Sequence, residues 1–198
     1  VYKRQDISNN NPIFVTTKLW DTDHGFYNTI KAFMISYREL NLQNIKNKHK
    51  QKQFKPIDLY LMHSPYGGRI LETYDAMLYI QAQQQSQGKN PLLKSIGVSN
   101  FDIRHLEVIR INNRPMPTIN QIEMHPLVYK QRKELIDYCH KHQIQIQAFG
   151  SLMHGYSHFI GDSDGDGDNT NGPQFLSDMV QRYNTCLLYT SPSPRDSR

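Results

Sequence analysis

The sequence predicts an α/β fold built on a parallel sheet. Short β-branched runs alternate with longer stretches whose apolar residues recur at helical spacing. Repeated strand–helix units connect through right-handed crossovers into parallel sheets. Five consecutive units suit either a doubly wound sheet or a section of an eight-stranded barrel, and periodicity alone does not choose between them. No G-x-G-x-x-G follows the first strand, which weakens the dinucleotide-binding sheet.

The individual elements follow from apolar runs and their boundaries. Five strands are predicted at 13–19, 57–62, 94–98, 118–122 and 143–148. Five helices are predicted at 27–40, 71–83, 102–111, 131–142 and 175–183. Asp102 is the expected N-cap of the third helix. Two segments interrupt the scheme, a lysine-rich one at 41–55 and a Gly/Asp/Asn-rich one at 155–172.

Both ends of the chain look foreign to the fold. Residues 1–5 can be encoded by GTG TAT AAG AGA CAG, and the reverse complement of that DNA, read from its second base, encodes residues 186–190. The tail 186–198 resembles the translation of a transposase-type sequencing adapter. The alternative is chance together with a Ser/Pro tail. We therefore expect 1–5 and 186–198 to be adapter-like artefacts and 6–185 to be the authentic part, cut at both ends.

The two terminal segments carry part of the net charge of the chain. The chain has 23 basic and 18 acidic residues and a net charge of +5. Without the two terminal segments, 19 basic and 17 acidic residues remain, so the charge gives no argument for nucleic acid. No apolar run reaches the roughly 20 residues that span a bilayer. Two cysteines make no disulfide framework, which favours a reducing compartment and a cytoplasmic protein.

Polar and aromatic side chains follow each predicted strand. Lys18 ends the first strand, His63 follows the second, Ser99 and Asn100 the third, Gln121 ends the fourth and Phe149 follows the fifth. A lone histidine is more often structural than catalytic. In a parallel barrel, however, all these strand ends gather on one face, where active sites sit. The sequence therefore predicts an active-site edge at these positions.

The same stretches resemble the aldo-keto reductase family. The matching segments are Phe14-Val-Thr-Thr-Lys-Leu-Trp20, Ile57-Asp-Leu-Tyr-Leu-Met-His-Ser-Pro65, Lys94-Ser-Ile-Gly-Val-Ser-Asn-Phe101, Ile119-Asn-Gln-Ile-Glu-Met-His-Pro126 and Gln147-Ala-Phe-Gly-Ser-Leu152. Their order and spacing match over about 13–185, apart from the two insertions. The resemblance implies an incomplete (β/α)8 TIM barrel that holds strands three to seven.

The resemblance also implies a chemistry, the NADPH-dependent reduction of an aldehyde or ketone to an alcohol. Lys18 matches the lysine that lowers the pKa of a proton-donating tyrosine, and His63 matches the histidine that orients the carbonyl oxygen. The positions that match cofactor contacts are Ser99, Asn100 and Gln121 for the nicotinamide carboxamide and Phe149 for ring stacking. Trp20 matches a substrate-pocket residue, and a packing role at the rim is an equal alternative.

Parts of the family pattern are not found in the sequence. The catalytic tyrosine and its partner aspartate come from segments ahead of the lysine-bearing strand. The motif that grips the adenosine 2′-phosphate and the loop that selects substrates come after the last predicted helix. We therefore expect the chain as written to be inactive, and we expect the complete parent protein to be a monomeric enzyme acting on a small carbonyl substrate, with no nucleic acid or membrane partner.

Two alternatives stay open. Asp162-x-Asp164-x-Asp166 resembles the front of a calcium loop, but Pro173 stands where a bidentate glutamate is needed, so a flexible acidic insertion and no metal site is expected. A nucleotide-binding regulatory subunit with the same barrel is the other functional hypothesis. The lysine-rich segment 41–55 is the feature that favours it, because it offers a possible docking surface. A solvated loop is the simpler interpretation of that segment.

Overall fold

The computed structural model describes residues 14–46, 56–85 and 91–151, which form four strand–helix units followed by a fifth strand. The strands are β1 (Thr16–Leu19), β2 (Ile57–Met62), β3 (Leu93–Ser99), β4 (Ile119–Glu123) and β5 (Gln145–Phe149). The helices are α1 (Phe26–Lys46), α2 (Ile70–Gln85), α3 (Ile103–Ile111) and α4 (Tyr129–Lys141). A short 3₁₀ helix, Asp21–Asp23, lies between β1 and α1.

The strand order decides between the two architectures that periodicity left open. All neighbours pair in parallel, and their spatial order β1-β2-β3-β4-β5 equals their order in the chain. A doubly wound sheet reverses its strand order at a switch point, and no reversal occurs among the described strands. The fold is therefore a run of singly wound strand–helix units, as expected for part of a (β/α)8 barrel.

The core lies between the sheet and the helices. All six residues of β2 are buried, and Tyr60 and Met62 contribute its outward face to this core. Phe33 of α1 packs edge-on against Tyr60, with ring centroids 5.2 Å apart. Each large apolar side chain removed from water in this layer contributes roughly 1.5–3 kcal/mol, so packing rather than helix propensity holds the helices on the sheet.

Asp58 links neighbouring strands at the end of the sheet that is opposite the predicted site. One carboxylate oxygen accepts the backbone N–H of Val15 at 2.8 Å, and the other lies 2.7 Å from Nζ of Lys94. Burial alone would raise the pKa of Asp58, but the hydrogen bonds from Lys94 and Val15 outweigh it and the pKa is lowered. One buried carboxylate therefore joins the starts of three neighbouring strands.

Several element boundaries differ from the sequence prediction. β1 begins at Thr16 rather than residue 13, because the backbone N–H of Val15 donates to the side chain of Asp58 instead of to a backbone carbonyl. α1 continues through the start of the predicted insertion 41–55 and ends at Lys46. Buried Asn41 allows this, since its amide donates to the carbonyl of Tyr37 one turn earlier.

The remaining predicted segments lie outside the described residues. These are the terminal segments 1–5 and 186–198, the rest of the lysine-rich insertion, the acidic insertion 155–172 and the helix 175–183. Among the helices that are described, none combines the length and the apolar composition needed to cross a bilayer.

Candidate active site

Lys18 and Phe149 meet although they lie on the first and last strands of the described sheet. The ammonium of Lys18 is 5.9 Å from the centroid of the Phe149 ring, within reach of a cation–π interaction. Neighbouring strands lie about 4.8 Å apart, so four steps across a flat sheet would separate β1 from β5 by roughly 19 Å. The contact requires a strongly curved sheet that turns both side chains toward one concave edge.

His63 sits beside Lys18 at this edge. Its backbone N–H donates to the carbonyl of Leu19 at 3.0 Å, which continues the pairing of β1 and β2 by one residue. The side chain is 28% exposed, so the ring reaches solvent on one side only. Burial and the positive charge of Lys18 lower the pKa of His63, while the carboxylate of Asp21 opposes them. The predicted lysine and histidine are therefore electrostatically coupled neighbours.

Trp20 covers the ring of His63. The two rings are stacked with centroids 4.3 Å apart and planes inclined by 29°. Trp20 is nevertheless 58% exposed, so most of its indole surface faces outward rather than into the core. Trp20 thus packs on the histidine at the rim of the site, and its role in a substrate pocket stays a prediction.

Asn100 and Ser99 join the ends of three strands. The amide Nδ2 of Asn100 donates to the carbonyl of His63 at 2.9 Å and to Oγ of Ser99 at 3.3 Å. The hydroxyl of Ser99, which is fully buried, donates to the carbonyl of Gln121 at 3.0 Å. Asn100 has a φ of 61°, a left-handed conformation that asparagine tolerates better than most residues. In this structure both residues organise the backbone of the edge, and their cofactor contacts stay predictions.

Phe149 is the last residue of β5, whereas Gln121 lies in the middle of β4, two residues before the strand ends at Glu123, and not at its end as predicted. Nε2 of Gln121 donates to Oε1 of Gln147 at 2.9 Å, so the two amides form a pair on adjacent strands. Phe149 is half-buried and lies in register with Glu123. Gln147 was not predicted as a site residue, although it lies two positions before Phe149 and so points to the same face of β5.

A second group of polar residues was missed by the sequence analysis. Oδ2 of Asp21 accepts a hydrogen bond from Oγ of Ser64 at 2.8 Å. Oδ1 of Asp21 lies 3.8 Å from Nδ1 of His63 and 3.8 Å from Nε2 of His24. Asp21 directly follows Trp20 in the sequence. An acidic residue one position beyond the strand-end motif was therefore the sequence signal that could have identified Asp21 as a site residue.

Within the residues that the structure describes, no group of three or more histidine, cysteine, aspartate or glutamate side chains is arranged to hold a metal ion. The acidic segment that resembles a calcium loop lies outside them. The arrangement at the edge therefore consists of one ammonium, one imidazole with a carboxylate behind it, amide groups and aromatic faces.

Known proteins share this sequence and architecture. Residues 3–190 match the family described as Aldo/keto reductase family. The uncharacterized oxidoreductase YtbE of Bacillus subtilis is 36% identical over 143 residues, which cover 72% of this chain and 44% of that protein. The glyoxal reductase of the same organism is 34% identical over the same shares of both chains.

Solved structures agree with this match. The crystal structure of a Gox0644 variant in complex with NADPH superimposes with a TM-score of 0.65 at 28% identity, covering 89% of this chain and 53% of that chain. The chain spans less than half the length of the two curated relatives that it matches.

Proposed function

The chain belongs to the aldo/keto reductase family, and we propose that it carries part of the active site of an NADPH-dependent carbonyl reductase, which reduces an aldehyde or ketone to an alcohol. The observation that supports this most is the convergence of Lys18, His63 and Phe149 at one concave edge. A cation, a hydrogen-bonding imidazole and an aromatic face are the groups that such a reduction needs beside the carbonyl and the nicotinamide.

The residues at the edge fit a nicotinamide cofactor. Phe149 offers a half-buried ring for stacking, and the amides of Asn100, directly after β3, and of Gln121, within β4, belong to two adjacent strands. Paired amide donors and acceptors match the carboxamide of the nicotinamide and fix which ring face is presented. The structure of Gox0644 was solved with NADPH, which supports the same cofactor here. When bound, NADPH supplies the hydride.

We assign the remaining chemistry to side chains of this chain. His63 orients the carbonyl oxygen through its ring nitrogen, and Trp20 limits the orientations of that ring by stacking on it. Lys18 supplies the positive charge that lowers the pKa of a proton-donating tyrosine. We expect that tyrosine and its partner aspartate to come from outside the described residues, and we expect 6–185 to be the part of the chain that belongs to the barrel.

The experiment is a reduction assay on the full-length protein that contains this sequence. Glyoxal is the first substrate to try, because a relative is a glyoxal reductase. We expect consumption of NADPH that depends on the aldehyde, and we expect Lys18→Met and His63→Gln each to reduce kcat/KM by about 100-fold, the scale of a lost acid–base or electrostatic contribution. Lys130→Met and His140→Gln are the matched controls, because both residues are exposed on α4.

The outcomes separate the reductase from the regulatory alternative. Binding of NADPH without turnover of any small aldehyde or ketone would favour a nucleotide-binding subunit and contradict the reductase. We also propose a cytoplasmic protein, which the small number of cysteines supports, Cys139 being a buried thiol. A monomer is the oligomeric state that we propose for the complete protein. Size-exclusion chromatography and fractionation of cells test these two points.

A further inference from the structure

The carboxylate of Asp21 is held in a defined place beside the active-site edge. Ser64 donates its hydroxyl proton to Oδ2 of Asp21 and accepts the backbone N–H of Tyr66 at 3.1 Å. Gly67 packs against the same turn, since a Cβ there would lie 2.4 Å from the carbonyl oxygen of Asp21 and 2.4 Å from Nδ1 of His24. These contacts keep the carboxylate from turning away toward solvent.

The second oxygen of this carboxylate faces two imidazoles. Oδ1 of Asp21 is 3.8 Å from Nδ1 of His63 and 3.8 Å from Nε2 of His24. All three atoms are buried and have no hydrogen-bond partner among the described residues. A buried polar atom without a partner costs about 1–3 kcal/mol, so a proton shared across one of these gaps after a small rotation would relieve that cost.

The protons can be assigned from the neighbours. Nδ1 of His24 lies 2.8 Å from the carbonyl oxygen of Gly68, which can only accept, so Nδ1 of His24 carries its proton. In neutral His24 the other nitrogen then has a lone pair and cannot donate to Asp21. The donor that then remains for Oδ1 is Nδ1 of His63.

We propose that Asp21 is a positioning residue that keeps a proton on Nδ1 of His63, so that Nε2 donates a hydrogen bond to a carbonyl substrate only when the ring is protonated. A neutral ring with its proton on Nδ1 presents a lone pair to the substrate and repels the carbonyl oxygen. The proposal deepens the reductase function and rests on it, because His63 is the residue through which Asp21 acts.

The residues around His63 set the pH at which its ring becomes protonated. Among the described residues, the charged groups that act on its ring are Lys18 from β1 and Asp21 from the 3₁₀ helix. Trp20 is a neutral stacking partner, and Asn100 is uncharged and donates to the backbone carbonyl of His63. Lys18 and burial lower the pKa of His63, so the imidazolium forms below the ordinary value of about 6.5. Reduction should therefore become faster as the pH falls toward that range.

The test combines a spectrum and a pH profile of the full-length protein. Nitrogen-15 NMR of the imidazoles is expected to show His63 with its proton on Nδ1 at neutral pH. In Asp21→Asn the new amide can donate to Nδ1, so the proton should move to Nε2. For the unsubstituted protein, kcat/KM should fall about tenfold per pH unit above the pKa of His63, as expected when one proton is required. Asp21→Asn should lose this dependence.

Asp23→Asn is the matched control. It removes the same charge from the same 3₁₀ helix, but the carboxylate of Asp23 acts on Tyr60 rather than on His63. The tautomer and the pH profile should therefore stay unchanged in this variant. A purely structural loss at Asp21 would lower activity at every pH and leave the tautomer as it was.

Several results would overturn the proposal. A proton on Nε2 of His63 in the unsubstituted protein would do so, as would a doubly protonated His24 or an unchanged pH profile in Asp21→Asn. The spectrum of the unsubstituted protein decides the tautomer even if the variant fails to fold. The expected tautomer in a protein without reductase activity would contradict the proposed function and support only the effect of Asp21 on the proton of His63.

Discussion

The side-chain amide of Asn100 donates a hydrogen bond to the backbone carbonyl of His63, which ties the residue predicted to hold the cofactor to the residue predicted to orient the substrate. The two lie at the ends of adjacent parallel strands, β3 and β2. A change at Asn100 should therefore affect both binding partners rather than the cofactor alone.

Asn100→Ala should reduce kcat/KM by about 10- to 100-fold, because a misplaced His63 loses its alignment with the carbonyl. Both KM for NADPH and kcat should change. The variant also loses about 1–2 kcal/mol of stability from the hydrogen bonds and the left-handed backbone. Asn113→Ala is the control, since Asn113 has a similar φ of 58° in the turn after α3. Equal loss of activity in both variants would contradict a specific role for Asn100.

Trp20→Ala should impair catalysis with little effect on folding. The indole is 58% exposed, so its removal creates no buried cavity, but His63 loses the ring that limits its rotation. We expect about a tenfold lower kcat/KM, partial recovery in Trp20→Phe, and a free energy of unfolding within about 0.5 kcal/mol of the original. Tyr129→Ala, at 52% exposure on α4, provides the comparison. Substrate reduction and denaturant titration on the same preparations measure both effects.

Asp58→Ala should destabilise the protein without touching the active-site edge. It leaves the N–H of Val15 and the ammonium of Lys94 without their acceptor, at a cost of about 2–3 kcal/mol. Asp58→Asn keeps an acceptor for Val15 and should cost only about 0.5–1 kcal/mol. Asp137→Asn, in an exposed pair with Lys133, should change almost nothing.

The effect of Asp58 should depend on pH in a defined direction. Its pKa is lowered in the folded state, so the folded protein holds fewer protons on this group than the unfolded chain does. The stabilisation is complete above the unfolded pKa of about 3.9 and is lost as the pH falls through the folded value. Urea unfolding should therefore separate Asp58→Asn from the original protein at pH 7 and bring the two together at strongly acidic pH.

Gly97→Ala should disturb the inner face of the sheet. A Cβ at this position would lie 2.7 Å from Cδ2 of Leu61 and 2.8 Å from the carbonyl oxygen of Ile119, and the backbone atom cannot move without shifting β4. We expect a loss of about 1–3 kcal/mol, typical of overpacking. At Gly68 nothing lies within 4 Å, so Gly68→Ala should show only the strain of its φ of 71°. A lower melting temperature of the first variant than of the second would support this difference.

The strands and the residues at their ends could be predicted from the sequence because both signals are local. β2 was predicted with its observed bounds, and Lys18 and His63 were placed next to each other by the rule that parallel strands end at one face. The helix α1 was predicted too short because a polar residue, Asn41, looked like a boundary. Its side chain is instead satisfied within the helix.

The contacts that depend on curvature could not be predicted. The approach of Lys18 to Phe149 depends on the bending of all five strands, and no short sequence pattern encodes that distance. The role of Asp21 was missed for a related reason, since its partner Ser64 lies in the loop after another strand. An aspartate beside a tryptophan at a strand end has no special meaning until the opposite loop brings a hydroxyl and an imidazole to it.

The consecutive order of the strands has a consequence for folding kinetics. Each strand pairs with its neighbour along the chain, so every pairing closes a loop of only one strand–helix unit and can form early. The contact between Lys18 and Phe149 instead spans almost the whole described chain, and it cannot form until all the pairings exist. The catalytic edge should therefore be the last part of the sheet to mature. A ligand that bridges this edge would bind only after the final step of folding. Its main effect should therefore be to slow the unfolding that begins at this edge.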